Sequence, residues 1–311
     1  MTRELRLPPR YEFTGTLGAL AQFRRDPTIR LSATELWWAC RTAAGPATLH
    51  LSREGDRLTA TGYGPGAEWV VEQADAIAGL RDEVDGFAEV AHRHPVVRQA
   101  WHRRSGLRLT RTGRLFAHLV PTILGQKVTG VEAGNAYAKM VRHFGEAAPG
   151  PYPHLVLPPD PSAVAGSPYW VFHPFGVEAK RADTLRRAAA QADRLEAAAD
   201  AAAATARLTA IAGIGIWTAA EVTRVAYGDP DAVTIGDYHI PHQVVYALTG
   251  APRAGSRESR PGQVSPADAR MLELLEPFRG QRARVCQLLL ATGATPPRYG
   301  PRMPVRSFAR F

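Results

Sequence analysis

Two hydrophobic periods divide the chain. Up to about residue 64, apolar positions fall in short runs of strand type: Ile29 to Leu31, Leu36 to Arg41, Thr48 to Leu51, and Arg57 to Thr61. Ala44-Gly45-Pro46 and Glu54-Gly55-Asp56 punctuate them as turns. Leu5 to Phe13, with Pro8-Pro9 inside, reads as an edge strand or its approach. Trp37 and Trp38 are adjacent, so a strand sends them to opposite faces. From Pro65 to about Trp101 the spacing turns helical, with Trp69, Ala76, Ile77 and Leu80 on one stripe and Phe87, Val90 and Val97 on another.

The helical period is strongest after Leu115. Leu115 to Phe144 predicts two helices broken between Pro121 and Gly125, and the apolar stripe Phe116, Leu119, Val120, Ile123 and Leu124 makes them central to a bundle. Residues 149 to 168 read as a loop with at most one short helix, and a long helix follows from Val177 through Leu195. The alanine run from Ala198 to Ala204 needs only intrinsic helicity to explain it. Arg253 to Pro261 is a polar loop, and Ser265, Pro266 and Asp268 form a helix start of capping-box type. Two helical pieces then run to Ala291. The expected segments are 1–111, 112–291 and a Pro/Arg-rich tail over 292–311. The basic run His102 to Arg114 joins the first two, and its charge fits a solvated hinge as well as a contact.

Composition narrows the partner. The 311 residues carry 38 Lys and Arg against 29 Asp and Glu, a net charge of +9, which moderately favours a polyanion. Cys40 and Cys286 are too few for a disulfide framework or a four-cysteine cluster. Without an export-type start or an apolar run near 18 residues, a soluble intracellular protein is expected.

Candidate chemistry gathers in Leu208 to His239: a helix, a Gly213-Ile214-Gly215 turn, a second helix, a short turn and the isolated Asp237. Such a turn aims free N–H groups and the positive end of a helix dipole outward, which suits a phosphate. The bare hairpin also occurs in DNA-binding proteins that are not enzymes. With Trp217-Thr218-Ala219 and Asp237-Tyr238 following in that order, the stretch resembles the helix-hairpin-helix DNA glycosylase superfamily, in its 3-methyladenine DNA glycosylase II branch. The resemblance extends through Ile123-Leu124-Gly125-Gln126, Lys180-Arg181-Ala182 and Glu276-Pro277-Phe278-Arg279.

It implies an α+β fold, with a mostly helical core behind an N-terminal domain containing a small antiparallel sheet. It further implies Asp237 as the catalytic carboxylate, stabilising a sugar cation as a base leaves. Trp217 and Glu221 match base-pocket positions. Gln126 and Lys127 match residues that fill the gap left by a flipped base, and Gly213, Ile214, Gly215, Thr218 and His239 match DNA contacts. Trp217 stands where strand-cutting relatives carry a Schiff-base lysine, which implies base removal alone. The partner is then duplex DNA containing damaged bases. The protein is expected to be a monomer in a bacterial cytoplasm, without cofactor save a monovalent cation on hairpin carbonyls.

Plain alternatives stand beside each role. Asp237 also suits a helix cap, Trp217 suits core, and Glu221 is spaced to pair with Arg224. Lys127 departs from the apolar wedge of the resembled family, and Glu221 from its aromatic pocket residue. These departures keep open a glycosylase for deaminated or oxidised bases, and a non-catalytic lesion binder. Lys180, Arg181, Arg279, Arg282 and Arg284 fit phosphate contacts or ordinary surface. A metal site of Asp237, His239 and His242 is disfavoured, because Pro241 interrupts it and a closed site wants about four ligands.

Overall fold

The computed structural model describes residues 1–252 and 264–297. The expected loop at 253–261, and the tail beyond residue 297, lie outside the described residues.

The strand-period region forms one antiparallel sheet of β1 (Thr2–Arg6), β2 (Ile29–Leu31), β3 (Glu35–Thr42), β4 (Gly45–Glu54) and β5 (Arg57–Tyr63), in the order β1-β5-β4-β3-β2. Trp38 faces the buried side, while Trp37 stacks on His50 at 3.8 Å on the other. The edge strand lies earlier than expected. It ends at Arg6, since Pro8 and Pro9 have no N–H for a ladder, and Phe13 opens a short buried helix, α1 (Phe13–Leu17).

Four short helices follow: α2 (Ala67–Glu72), α3 (Ala74–Ile77), α4 (Phe87–Ala91) and α5 (Pro95–Arg103). The basic run after α5 is no hinge. Leu107, Arg108, Leu109 and Thr112 are buried, and the N–H groups of Thr112 and Gly113 reach Val225 O (3.1 Å) and Ala226 O (2.8 Å) at the end of a later helix. Alternating apolar residues within the charge run buried it.

The helical core begins with α6 (Leu115–Leu124) and α7 (Gly130–Phe144). The break falls within the expected interval, at its Gly125 end, and Pro121 is not its cause. The proline sits inside the helix, and Thr122 Oγ1 bonds His118 O at 2.7 Å. The helix stops instead at Gly125, whose N–H reaches Pro121 O (3.0 Å) and Thr122 O (3.1 Å). A Thr129–Glu132 capping box then starts α7. Next come α8 (Pro161–Gly166), a 3₁₀ turn (Tyr169–Phe175), α9 (Ala179–Ala189), α10 (Ala192–Glu196) and α11 (Ala201–Thr209). The expected single long helix is therefore broken at Ala190-Gln191. The break turns α10 so that Glu196 caps α6, accepting from Leu115 N (3.2 Å) and Phe116 N (2.8 Å). The chain closes with α12 (Ile216–Ala226), α13 (Ile240–Thr249), α14 (Pro266–Leu275) and α15 (Arg282–Ala291).

Burial divides the described residues into a sheet cluster, a cluster spanning α6 to α12, a third that joins residues 87–107 to α13, α14 and α15, and a small fourth of Ala39, Leu155 and Leu157. The third cluster crosses the segment boundary at residue 111. The turn carrying Asp237 runs from the second cluster to the third.

Candidate DNA-binding and catalytic site

Helices α11 and α12 form the hairpin around Gly213, Ile214 and Gly215. The two glycines have different reasons. Gly213 has φ +99° and its missing Cβ would sit 2.2 Å from Thr184 Oγ1, so only glycine fits. Gly215 has ordinary backbone angles and open space where a Cβ would lie. Ile214 is only 5% exposed and belongs to the core, so its side chain is not available for DNA. Thr218 is likewise buried, its hydroxyl accepting from Gln126 Nε2 at 2.9 Å. These two expected contacts thus reduce to main-chain atoms.

Those main-chain atoms are well disposed. The first helical bond of α12 runs from Ala219 N to Gly215 O, and no side chain caps the helix. The N–H groups of the first turn therefore face outward beside the dipole's positive end.

Gln126 turns toward the hairpin, donating also to Gly213 O at 3.0 Å. It ties the 125–129 loop to the turn. Lys127 is exposed at the loop tip and held at φ +57°, a strained conformation for a residue with a Cβ. Arg181, a sequence candidate for phosphate, is instead buried and donates to Leu124 O at 2.7 Å, fixing the end of α6 before this loop. Lys180 remains exposed.

Trp217 and Glu221, one turn apart on α12, share a face. Both are half-buried. The Trp217 ring reaches the Gly125 loop at one edge, 3.9 Å from the ideal Cβ position, and donates from Nε1 to Asp237 Oδ2 at 3.1 Å at the other. Asp237 Oδ1 accepts from His239 N (2.7 Å) and Ile240 N (2.8 Å). The helix-cap alternative is thus true of one oxygen, leaving the other toward the indole. Glu221 pairs with Arg224 at 3.0 Å, so the pairing alternative holds as well.

One support was missed. Buried Asp268 completes its expected cap, its N–H donating to Ser265 Oγ while its Oδ2 accepts from the Ser265 hydroxyl, and its Oδ1 also accepts Gly236 N at 2.9 Å. It thereby pins the residue before Asp237. The only sequence signal was the cap itself. The exposed apolar side chains of Ile216 and Tyr238 flank the constellation and also went unassigned. The two carboxylates nearest Asp237 in sequence are occupied: Asp229 accepts Asp231 N, and Asp231 holds Arg282 and Gly280 N. Arg279 pairs with Glu276, and Arg284 with Asp82.

Among the described residues, no three His, Cys, Asp or Glu side chains converge as metal ligands. At Ala212 and Gly213 the hairpin carbonyls already accept side-chain donors. Arg187 donates to Ala212 O at 3.0 and 3.2 Å and Gln126 to Gly213 O, and the guanidinium adds positive charge there. No described helix is long and apolar enough to cross a membrane. A cavity of about 970 Å³ near Arg53, Asp82 and Arg108 includes none of the site groups. The hydrogen-bonded constellation, and not that concavity, marks the site.

Solved structures of DNA glycosylases share this fold, a sheet-bearing N-terminal region on a helical core. The chain is similar to a 3-methyladenine DNA glycosylase from Archaeoglobus fulgidus, with TM-score 0.73 and 17% identity over 94% of this chain and 98% of that one. It is also similar to an 8-oxoguanine glycosylase/lyase from Clostridium acetobutylicum, with TM-score 0.67 and 12% identity over 93% and 95%. A 3-methyladenine DNA glycosylase from Schizosaccharomyces pombe, solved with abasic DNA, gives TM-score 0.50 and 16% identity over 66% and 94%. By sequence, no family model and no curated protein matches.

Proposed function

We propose that this protein is a monofunctional DNA glycosylase that hydrolyses the N-glycosidic bond of damaged, principally alkylated, bases in duplex DNA. The observation that carries the reading is the Asp237 carboxylate. It is fixed by three N–H donors, two from the backbone and one from Trp217, beside an uncapped helix start able to take a phosphate. A carboxylate so preorganised stabilises positive charge on a deoxyribose as the base departs. A cationic alkylpurine leaves without an acid, so one carboxylate suffices.

The same reading gives water as the nucleophile. The chain has three lysines, and none occupies the position of Trp217. Lys127 is on the loop tip, Lys139 bonds Pro174 O, and Lys180 begins α9. An amine attack at the sugar is therefore not built in beside Asp237. The half-buried Glu221 supports a second reading, a glycosylase for an uncharged damaged base. Its pairing with Arg224 weakens that reading by occupying the carboxylate.

The test is single-turnover excision from a panel of duplexes, each with one alkylated, deaminated or oxidised base, with and without borohydride. Abasic product from the alkylated duplexes, an intact strand before alkali and no trapped adduct are expected. Excision only of 8-oxoguanine, or a trapped adduct, would overturn the reading.

A further inference from the structure

We propose that Arg24 and Arg25 form a second phosphate contact, extending the DNA-binding face from the 125–129 loop onto the N-terminal region. The inference rests on the glycosylase reading for its polyanion, though not for its chemistry. The segment before these arginines is anchored to the helices that carry Lys127. Gln22 Nε2 donates to Thr122 Oγ1 at 3.1 Å and to His118 O at 3.4 Å, on α6. Phe23 lies against Gly134 at 3.2 Å from the ideal Cβ position and against the Tyr137 ring at 5.8 Å, on α7. Thr122 is five residues before Lys127, and Gly134 is five after the Thr129 cap of α7, so the anchor lies about one and a half helical turns from the loop. At 1.5 Å per residue, that is about 8 Å along α7 from its cap.

Immediately beyond the anchor, Arg24 and Arg25 are both exposed, and neither takes part in a hydrogen bond or ion pair among the described residues. Most arginines near the site are engaged: Arg181 with Glu178, Arg224 with Glu221, Arg187 with a carbonyl. Arg24 and Arg25 instead line a cleft of about 530 Å³ with Arg30 and Arg142. Its acidic member, Asp26, is buried and turned onto Thr28 N and Oγ1 at 2.8 and 2.7 Å. The cleft thus offers the two unengaged guanidinium groups of Arg24 and Arg25, with Arg30 and Arg142 held beside them on backbone carbonyls, against one withdrawn carboxylate. Arg142 lies thirteen residues along α7 from the Thr129 cap, about 20 Å at 1.5 Å per residue, so the cleft is about six phosphates from the loop at 3.4 Å each, within the length of a duplex seated at Lys127 and running along α7.

The test uses the full chain with Arg24→Gln/Arg25→Gln, and Arg24→Lys/Arg25→Lys as a charge-retaining control. Affinity for an undamaged 24-base-pair duplex is measured by anisotropy from 50 to 200 mM salt. For the glutamine pair, binding should weaken roughly tenfold at the higher salt, and the slope of log affinity against log salt should shrink by about 2. The lysine pair should keep most of the affinity, since a phosphate needs only the charge. Single-turnover excision at saturating protein should be unchanged, with the melting temperature as a folding control. An unchanged slope would overturn the proposal, and so would a fall in the saturated excision rate in a folded variant. Undamaged-duplex binding reads the cleft whether or not the wild type excises any base, so the two proposals fail separately.

Discussion

Trp217 Nε1 donates to Asp237 Oδ2 at 3.1 Å across twenty residues, joining the helix after the hairpin to the turn after that helix. The two residues thereby act as one unit. The indole is more than a stacking surface, because its N–H and the two backbone donors on Oδ1 leave the carboxylate little rotational freedom.

Removing only the indole N–H should misplace the carboxylate without removing it. Trp217→Phe is expected to slow single-turnover excision about tenfold, with damaged-duplex binding nearly unchanged. Asp237→Asn should slow it about a hundred- to thousandfold. Both Asp237 oxygens accept bonds, so an amide set there faces one donor with another and loses a bond as well as the charge. Equal rates for wild type and Trp217→Phe would reduce the contact to packing.

The hairpin glycines should separate stability from binding. Gly213→Ala meets Thr184 and a positive φ together, and is expected to cost roughly 2 kcal/mol or more in stability. Gly215→Ala meets nothing, so its stability should stay within about 0.5 kcal/mol of wild type while its methyl obstructs close approach of a phosphate. Urea denaturation and duplex binding of the two single variants check this. Normal affinity in Gly215→Ala would move the phosphate elsewhere.

What could be read from the chain follows physical range. Four of the five strands, the hairpin and the order of Trp217 and Asp237 were legible, because period, turn residues and local spacing encode them. The bonds that aim these parts are not local. Asp268 to Gly236, Glu196 to the start of α6, and Arg181 to Leu124 O cross 32, 80 or 81, and 57 residues; Asp268 reads as an ordinary cap, Arg181 as a phosphate contact or surface charge, and nothing local marks Glu196. Ile214 and Thr218 erred oppositely. They lie in the hairpin expected to contact DNA, yet their side chains build it from inside.

Two buried groups should oppose each other in acid. Burial raises Asp26 from its ordinary 3.8 to about 6, against the hydrogen bonds of Thr28 and the nearby Arg30. The folded state then holds that proton more tightly, and the associated stability is lost as pH rises from 3.8 toward 6. Burial, with Arg224 nearby, lowers His118 from 6.5 to about 3, so its share of stability is lost as pH falls below 6.5. Between about pH 4 and 6 the slopes oppose, each at most about 1.4 kcal/mol per pH unit. Asp26→Asn keeps an acceptor for Thr28 and removes one slope. Its stability relative to wild type should rise with pH over that window, by denaturant midpoints at pH 4, 5, 6 and 7. A difference independent of pH would contradict the assignment.

Lys127 tests whether strain at the loop tip serves binding. A side chain at φ +57° costs on the order of 1 kcal/mol, and the loop keeps it there with Gln126 fastened to the hairpin and Arg181 to the preceding carbonyl. Glycine takes this conformation freely, so Lys127→Gly should match or exceed wild-type stability, by up to about 1 kcal/mol. It also removes the one charge the tip presents. Affinity for a duplex containing an abasic-site analogue should therefore fall several-fold, and the salt slope should shrink by about 1. Lys127→Asn, which tolerates the left-handed region and retains a polar side chain, should recover stability without restoring the slope. A gain in stability with full affinity would mean that the tip is strained for a reason unconnected with DNA, and a loss of stability in both variants would mean that the lysine side chain itself holds the loop.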